Sequence, residues 1–290
     1  MKRLILAAAA AFVLVAGPAF AETPIKVLAA QNFYAEVATA IGGDRVTVEA
    51  IAIPAGADPH DFEPSPSVAR AVSDAAVVLF NGADYDHWME NLLESTERPD
   101  RSIIDAASLI GAKEGDNPHV WYDPRTLPAV ADAVASTLSK LDPTAAADYN
   151  ARKASFVATL APVQEKVVSI RQRFAGAPIA ATEPVFGYMA DALGLANSNA
   201  DFQAAIMNET EPSAKDVAAL ENDLRNHNVK ALVYNTQVTD AMTEQLLAVA
   251  READVPVVGV TETRPDGKTY PEWMLDQLDA LDKALAGQSS

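Results

Sequence analysis

The stretch "VVLFNGADYDHWMENLLESTERPDRSIID" (77–105) has a counterpart in "LVYNTQVTDAMTEQLLAVAREADVPVVGV" (232–260), and that pairing decides the fold. Each opens on a short apolar run that ends in an aromatic followed by asparagine, Phe80-Asn81 and Tyr234-Asn235. Each then carries a leucine pair on a helical pattern, Leu92-Leu93 and Leu246-Leu247. A second apolar run closes both, with Ile103-Ile104 matched by Val257-Val258, and every matched pair lies 154 residues apart. Short apolar runs alternating with helical patterns are the signature of parallel βα units. Their recurrence at a fixed offset predicts two similar α/β lobes.

Outward from these runs, strands are expected at "IKVLAA" (25–30), "VTVEAIAI" (46–53), "AVVLF" (76–80) and "SIID" (102–105). In the later half they are expected at "PIAA" (178–181), "ALVY" (231–234) and "PVVGV" (256–260). Phe33 to Ile41 and Thr239 to Ala250 read as helices. Between the halves, Tyr149, Phe156, Leu160, Val163, Val167, Ile170 and Phe174 recur at spacings of three, four and seven, a stripe along one helix face. Asp142 suits the N-cap and Pro143 the first helical position. Pro162 removes a backbone donor inside this stretch and is expected to kink it, and Gly176 to end it. An apolar connection of this kind is stiff, whereas flexible linkers are rich in glycine and serine. The predicted organisation is a signal peptide (1–21), a first α/β lobe (22–141), one long linking helix (142–175) and a second α/β lobe (176–290).

The signal peptide rests on Lys2 and Arg3, an apolar run from Leu4 to Ala16 and a small-x-small site at Ala19-Phe20-Ala21. The run is short for a membrane span, so an exported, soluble chain beginning near Glu22 is expected. The sequence holds no cysteine, which excludes disulfides, thiolate metal sites and cysteine nucleophiles, and a lipid anchor at a cleavage-site cysteine with them. A free periplasmic protein follows. The formal charge is -18, and loss of the two basic residues of the leader takes it to -20. Such a field repels phosphate backbones and argues against nucleic-acid partners.

Ligands of open α/β sheets gather outside the carboxyl ends of the strands. Four residues there carry metal-binding chemistry: His60 in "GADPHDFEPSPS", His119 in "DNPHVWYDP", Glu183 in "TEPVFGY" and Glu262 in "TETRPDG". Two come from each half, so the site belongs in the cleft between the lobes. Imidazole nitrogens and carboxylate oxygens are what a divalent first-row metal accepts when thiolates are absent. The gaps of 59, 64 and 79 residues mean that only the folded chain can assemble them. Taken singly, a histidine beside a proline ordinarily packs or caps a turn, and a loop glutamate ordinarily faces water. His87 reads as a surface residue on a helix and His227 as a turn residue before a strand. Glu211-Pro212-Ser213 reads as a helix start.

The motifs resemble those of the metal-binding component of ABC-type zinc, manganese or iron uptake systems, the cluster A-I solute-binding proteins. "DPHDFEPSPS" and "NPHVWYDP" are similar to that family's two histidine motifs, which implies His60 and His119 as ligands, with Asn117 where aspartate is usual. "TEPVFGY" resembles the segment whose ligand is His in zinc-type and Glu in manganese-type members, which implies Glu183. "TETRPDG" lies where the family usually has aspartate, which implies Glu262. No His- and acid-rich loop of the kind some zinc members carry lies between His60 and His119. The resemblance implies two (β/α) lobes on one backbone helix, a transported divalent ion (Mn2+, Fe2+ or Zn2+, with manganese or iron slightly ahead), and a monomer. It also implies a membrane permease with a cytoplasmic ATPase as partners.

Two other classes compete. A metallohydrolase needs an open coordination position and a nearby base, and four protein ligands leave little room for either. A metal-binding adhesin is the third reading, and the absence of a lipid anchor counts against it.

Overall fold

The computed structural model describes residues 23–53, 62–208, 210–238 and 240–287. The expected signal peptide and His60 lie outside the described residues. The molecule has two α/β lobes, each built on a four-stranded, wholly parallel sheet. Strands β1 (Ile25–Ala29), β2 (Val46–Ala50), β3 (Val77–Phe80) and β4 (Ser102–Asp105) stand in the order β2-β1-β3-β4. Strands β5 (Pro178–Ala181), β6 (Ala196–Asn197), β7 (Leu232–Asn235) and β8 (Val257–Val260) stand in the order β6-β5-β7-β8.

The two sheets thus repeat one topology, and the repeat holds to the residue. Val78 pairs with Ile103 and Leu79 with Ile104 in the first sheet. Their partners 154 residues on, Leu232 with Val257 and Val233 with Val258, pair identically in the second. Ala29 beside Leu79 matches Ala181 beside Val233, so the residues that leave the first strand of each sheet, Gln31 and Glu183, are structural counterparts. Asn81 and Asn235 end the central strands of both.

Seven of the strands fall on the expected runs, with small shifts at their ends; β2 stops at Ala50, although the Ile51 amide still donates to Ala29 O at 3.0 Å. The two-residue β6 was not foreseen, being too short to show a period. The helices around Phe33 and Leu246 run Asn32–Gly42 and Ala241–Glu252.

The linking stretch is helical over Ala146–Thr159 and Ala161–Phe174, with a break at Leu160, two residues before the proline expected to disturb it. Asp142 caps the turn at Pro143–Ala145 by accepting from the Thr144 amide, and Gly176 follows the helix with a φ of 82°. The stripe is buried at Tyr149, Phe156, Leu160, Val163, Val167 and Ile170. It packs into a central apolar cluster that takes residues from both lobes, among them Phe33, Trp121, Tyr122, Phe186 and Trp273. Separate smaller clusters serve the outer side of each sheet. Phe33 stands 5.3 Å from Trp121 and 5.7 Å from Trp273, ring centre to ring centre, so aromatic packing of the edge-and-tilt type joins the lobes beneath the cleft. The Tyr122 hydroxyl crosses as well, donating to Thr261 O at 2.7 Å.

Candidate metal centre

Three of the four expected residues come together in the buried space between the lobes. One ligand atom from each of His119, Glu183 and Glu262 lies within 4.8 Å of the other two. All three side chains are buried, with 0%, 5% and 0% of their surface exposed. His60 lies outside the described residues. His87 sits exposed at the start of the helix His87–Ser95, and His227 holds a left-handed turn before β7.

The C-terminal lobe supplies the carboxylates directly from strand ends. Glu183 lies two residues beyond β5 and Glu262 two beyond β8, on either side of β7 in the sheet. The last residue of β7, Asn235, reaches both: its Nδ2 donates to Glu183 Oε2 at 2.6 Å and to Glu262 Oε1 at 2.7 Å. Its Oδ1 accepts from the Gln237 amide at 3.1 Å, which fixes the amide's orientation. Gln237 Oε1 in turn accepts from the backbone amides of Glu262 and Thr263, at 2.6 and 3.0 Å. One oxygen of each carboxylate is thereby anchored by the same amide. Two like charges held close in a buried setting repel, and a cation shared between them offsets that cost.

The N-terminal lobe supplies His119 from the loop after β4 and the short helix Ala106–Ile110. Its Nε2 stands 3.5 Å from Glu262 Oε2. Its Nδ1 is 2.7 Å from Asn117 Oδ1, which also accepts from the His119 backbone amide at 3.1 Å. Because Asn117 Nδ2 donates to Pro184 O at 2.8 Å, the amide cannot be turned round. Nδ1 therefore carries the proton and Nε2 presents its lone pair to the carboxylates. This is how metal-binding histidines are commonly oriented. Trp121 and Tyr85 wall the ring edge-on at 5.3 and 5.9 Å.

A cavity of about 530 Å³ opens beside Glu183, with Met207, Glu211, Asp240 and Met242 on its walls. Its acidic walls favour the approach of a cation.

Sequence reasoning missed Asn235 and the role of Asn117. Asn235 stood out only as a marker of the repeat, and an asparagine at the end of a strand looks like any turn former. The signal that could have found it is the repeat itself: an amide just after β3 and again at the end of β7, with carboxylates flanking only the second.

A family model described as zinc-uptake complex component A, periplasmic, matches residues 27–284. The manganese ABC transporter substrate-binding lipoprotein PsaA of Streptococcus mitis is 23% identical over 286 residues, spanning 90% of this chain and 89% of that protein. Among solved structures, the periplasmic zinc-binding protein TroA of Treponema pallidum superposes with a TM-score of 0.74 at 20% identity. That match covers 91% of this chain and 99% of that one. A crystal structure of ZnuA gives a TM-score of 0.73 at 23% identity, covering 92% and 100%. These structural likenesses show the two-lobe fold.

Proposed function

The chain belongs to the periplasmic component A family of zinc-uptake complexes, and from that premise we propose that it captures a divalent transition-metal ion outside the cytoplasm. It then delivers the ion to the permease of an ABC transporter, which a cytoplasmic ATPase drives. It is a transport receptor, not an enzyme. The observation that carries the reading is the Asn235 amide holding two buried carboxylates against the lone pair of a buried imidazole. His119, Glu183 and Glu262 are the proposed ligands, with His60 as the fourth.

The ion is manganese or iron(II) slightly ahead of zinc. Two carboxylates supply up to four oxygens and allow five- or six-coordination, which hard ions accept, although intrinsic affinity at a given site still favours zinc over manganese. Relatives of both kinds support a site near that boundary, one manganese transport lipoprotein and one zinc-binding protein. The protein acts as a monomer, freed in the periplasm by removal of residues 1–21.

Metal analysis of protein purified without chelators or affinity tags, followed by competition titration among Mn2+, Fe2+ and Zn2+, tests this. One tight site per chain is expected, lost in His60→Ala, in His119→Ala and in Glu262→Ala. Full occupancy of all three variants in native mass spectrometry would overturn it.

A further inference from the structure

Asn117 occupies a position where one side chain must face two ways. Its Oδ1 takes the Nδ1 proton of His119 at 2.7 Å, while its Nδ2 gives a proton to Pro184 O at 2.8 Å. Pro184 directly follows Glu183, so a single amide links the imidazole of one lobe to the carboxylate loop of the other. The same segment grips the Asn117 backbone, because Tyr188 Oη donates to Asn117 O at 2.8 Å. The approach is close enough to constrain the opposite wall: a Cβ on Gly187 would sit 2.8 Å from Asn117 Nδ2. Gly187 opens the helix Gly187–Leu193, a place where glycine is otherwise a weak choice.

We propose that Asn117 is a positioning residue that latches the two lobes across the metal centre, holding His119 Nε2 toward the ion and the Glu183 loop against it. This rests on the metal-receptor reading above. The bond to Pro184 requires an amide. Aspartate would still accept from His119, but its second oxygen would meet Pro184 O, acceptor against acceptor. Alanine would serve neither partner. The bonds to Pro184 and from Tyr188 join the lobes in this arrangement, as a shell of ligands drawn from both would. Latch and ion therefore favour the same state, and weakening one weakens the other. The latch acts chiefly on how slowly a bound ion leaves.

The two functions of the side chain can be separated. Zn2+ and Mn2+ release into excess chelator is timed by stopped flow for wild type, Asn117→Asp, Asn117→Ala and Gly187→Ala. The His119 tautomer is read from 15N shifts of the metal-free proteins. Asn117→Asp is expected to keep the Nδ1-protonated tautomer yet release metal about five- to tenfold faster, the scale of one lost hydrogen bond. Gly187→Ala, which crowds Nδ2 from the far side, should also release faster. Asn117→Ala should release faster still and populate both tautomers, a signature that loss of packing alone does not produce. Release from Asn117→Asp at the wild-type rate, or an unchanged tautomer in Asn117→Ala, would overturn the proposal. Should wild type bind no ion, the receptor reading falls. The latch is then judged by hydrogen exchange in metal-free protein, where faster exchange at residues 184–188 of Asn117→Asp sustains it and unchanged exchange overturns it.

Discussion

At the carboxyl ends of their central strands the two lobes carry the same asparagine and use it in opposite ways. In the first, Asn81 turns inward. Its Oδ1 accepts from the Tyr34 hydroxyl at 2.9 Å, and its Nδ2 donates to Gly82 O and Pro118 O at 2.9 and 2.7 Å. A buried acid there, Asp86, is met by three donors: the amides of Asn81 and Gly82 and the Gln31 side chain, at 2.7 to 2.9 Å. In the second lobe, Asn235 gives both its protons to carboxylates, and the counterpart of Gln31 is Glu183. Asp240, the counterpart of Asp86, faces outward and caps its helix at the Thr243 amide. The first strand end is closed upon itself and becomes a scaffold for the His119 loop, through Pro118. The second collects negative charge and presents it. One repeated framework thus yields a scaffold and a pair of buried carboxylates by exchanging an amide for an acid at one position and redirecting an acid at another.

The comparison would break most visibly in binding. Glu183→Gln and Glu262→Gln are expected to lose about a hundredfold in metal affinity, near 2.7 kcal/mol, whereas Gln31→Ala should bind as wild type does. Competition titration decides, and a comparable loss in Gln31→Ala would show that the closed strand end takes part in binding after all. Affinity in wild type should also fall on acidification, since ligands must be deprotonated to bind.

Exchanging the amide for the acid in the closed lobe is the next test. Gln31→Glu would place a second carboxylate against buried Asp86 and is expected to cost about 3 kcal/mol of stability near neutral pH. Urea unfolding measures this, and the deficit should shrink as acid protonates the pair. A variant as stable as wild type at neutral pH would mean that this strand end tolerates charge as the other does.

Asp86 itself provides a gradient of opposite sign to that of metal binding. Burial pushes its carboxyl up to about 6, against the lowering effect of its hydrogen bonds from Asn81, Gln31 and Gly82. In the unfolded chain it ionises near its ordinary value of ~4. Between those limits the folded protein keeps the proton and the unfolded chain does not. Its contribution is therefore complete below about pH 4 and declines as pH rises toward 6, by about 3 kcal/mol. Subtracting the pH profile of Asp86→Asn from that of the metal-free wild type should isolate the slope. A difference that rises with pH would refute the sign.

The smallest effect concerns selectivity. Glu183→His replaces one or two oxygens with a single nitrogen and steers the site toward four-coordination, which zinc favours. A shift of about tenfold in the zinc-to-manganese affinity ratio is expected, near 1.4 kcal/mol. An unchanged ratio with both metals bound tightly would remove Glu183 from the coordination shell.

The framework was readable from the chain because parallel βα units write themselves as apolar runs of four or five residues at regular intervals. The offset shared by Leu92-Leu93 and Leu246-Leu247 reflects an equal spacing between successive strands in each lobe, although the helix between them has 9 residues in the first and 12 in the second. The residues expected to carry the chemistry were placed by position, since Glu183 and Glu262 follow strand ends. What could not be read was which amides organise them. Asn117, Asn235 and Gln237 work through contacts across 67, 27 and 25 residues of sequence, and nothing in their local composition sets them apart. The downturned Asp86 was equally hidden. It depends on three successive left-handed residues, Gly82, Ala83 and Asp84, two of which are not the glycines that usually mark such a bend.

The central aromatic cluster has a consequence for how the chain comes to be folded. Phe33 belongs to the first half, but it packs against Trp273 of the last described helix, Tyr270–Leu285, whose Tyr270 hydroxyl also donates to the Trp121 carbonyl. During synthesis the first lobe's sheet can pair as soon as β4 is made, while its aromatic side waits for the far end of the polypeptide. Until that helix docks, a broad apolar face is open to whatever it meets, and such faces are where incompletely folded chains aggregate. The halves that look most independent on paper must therefore finish together.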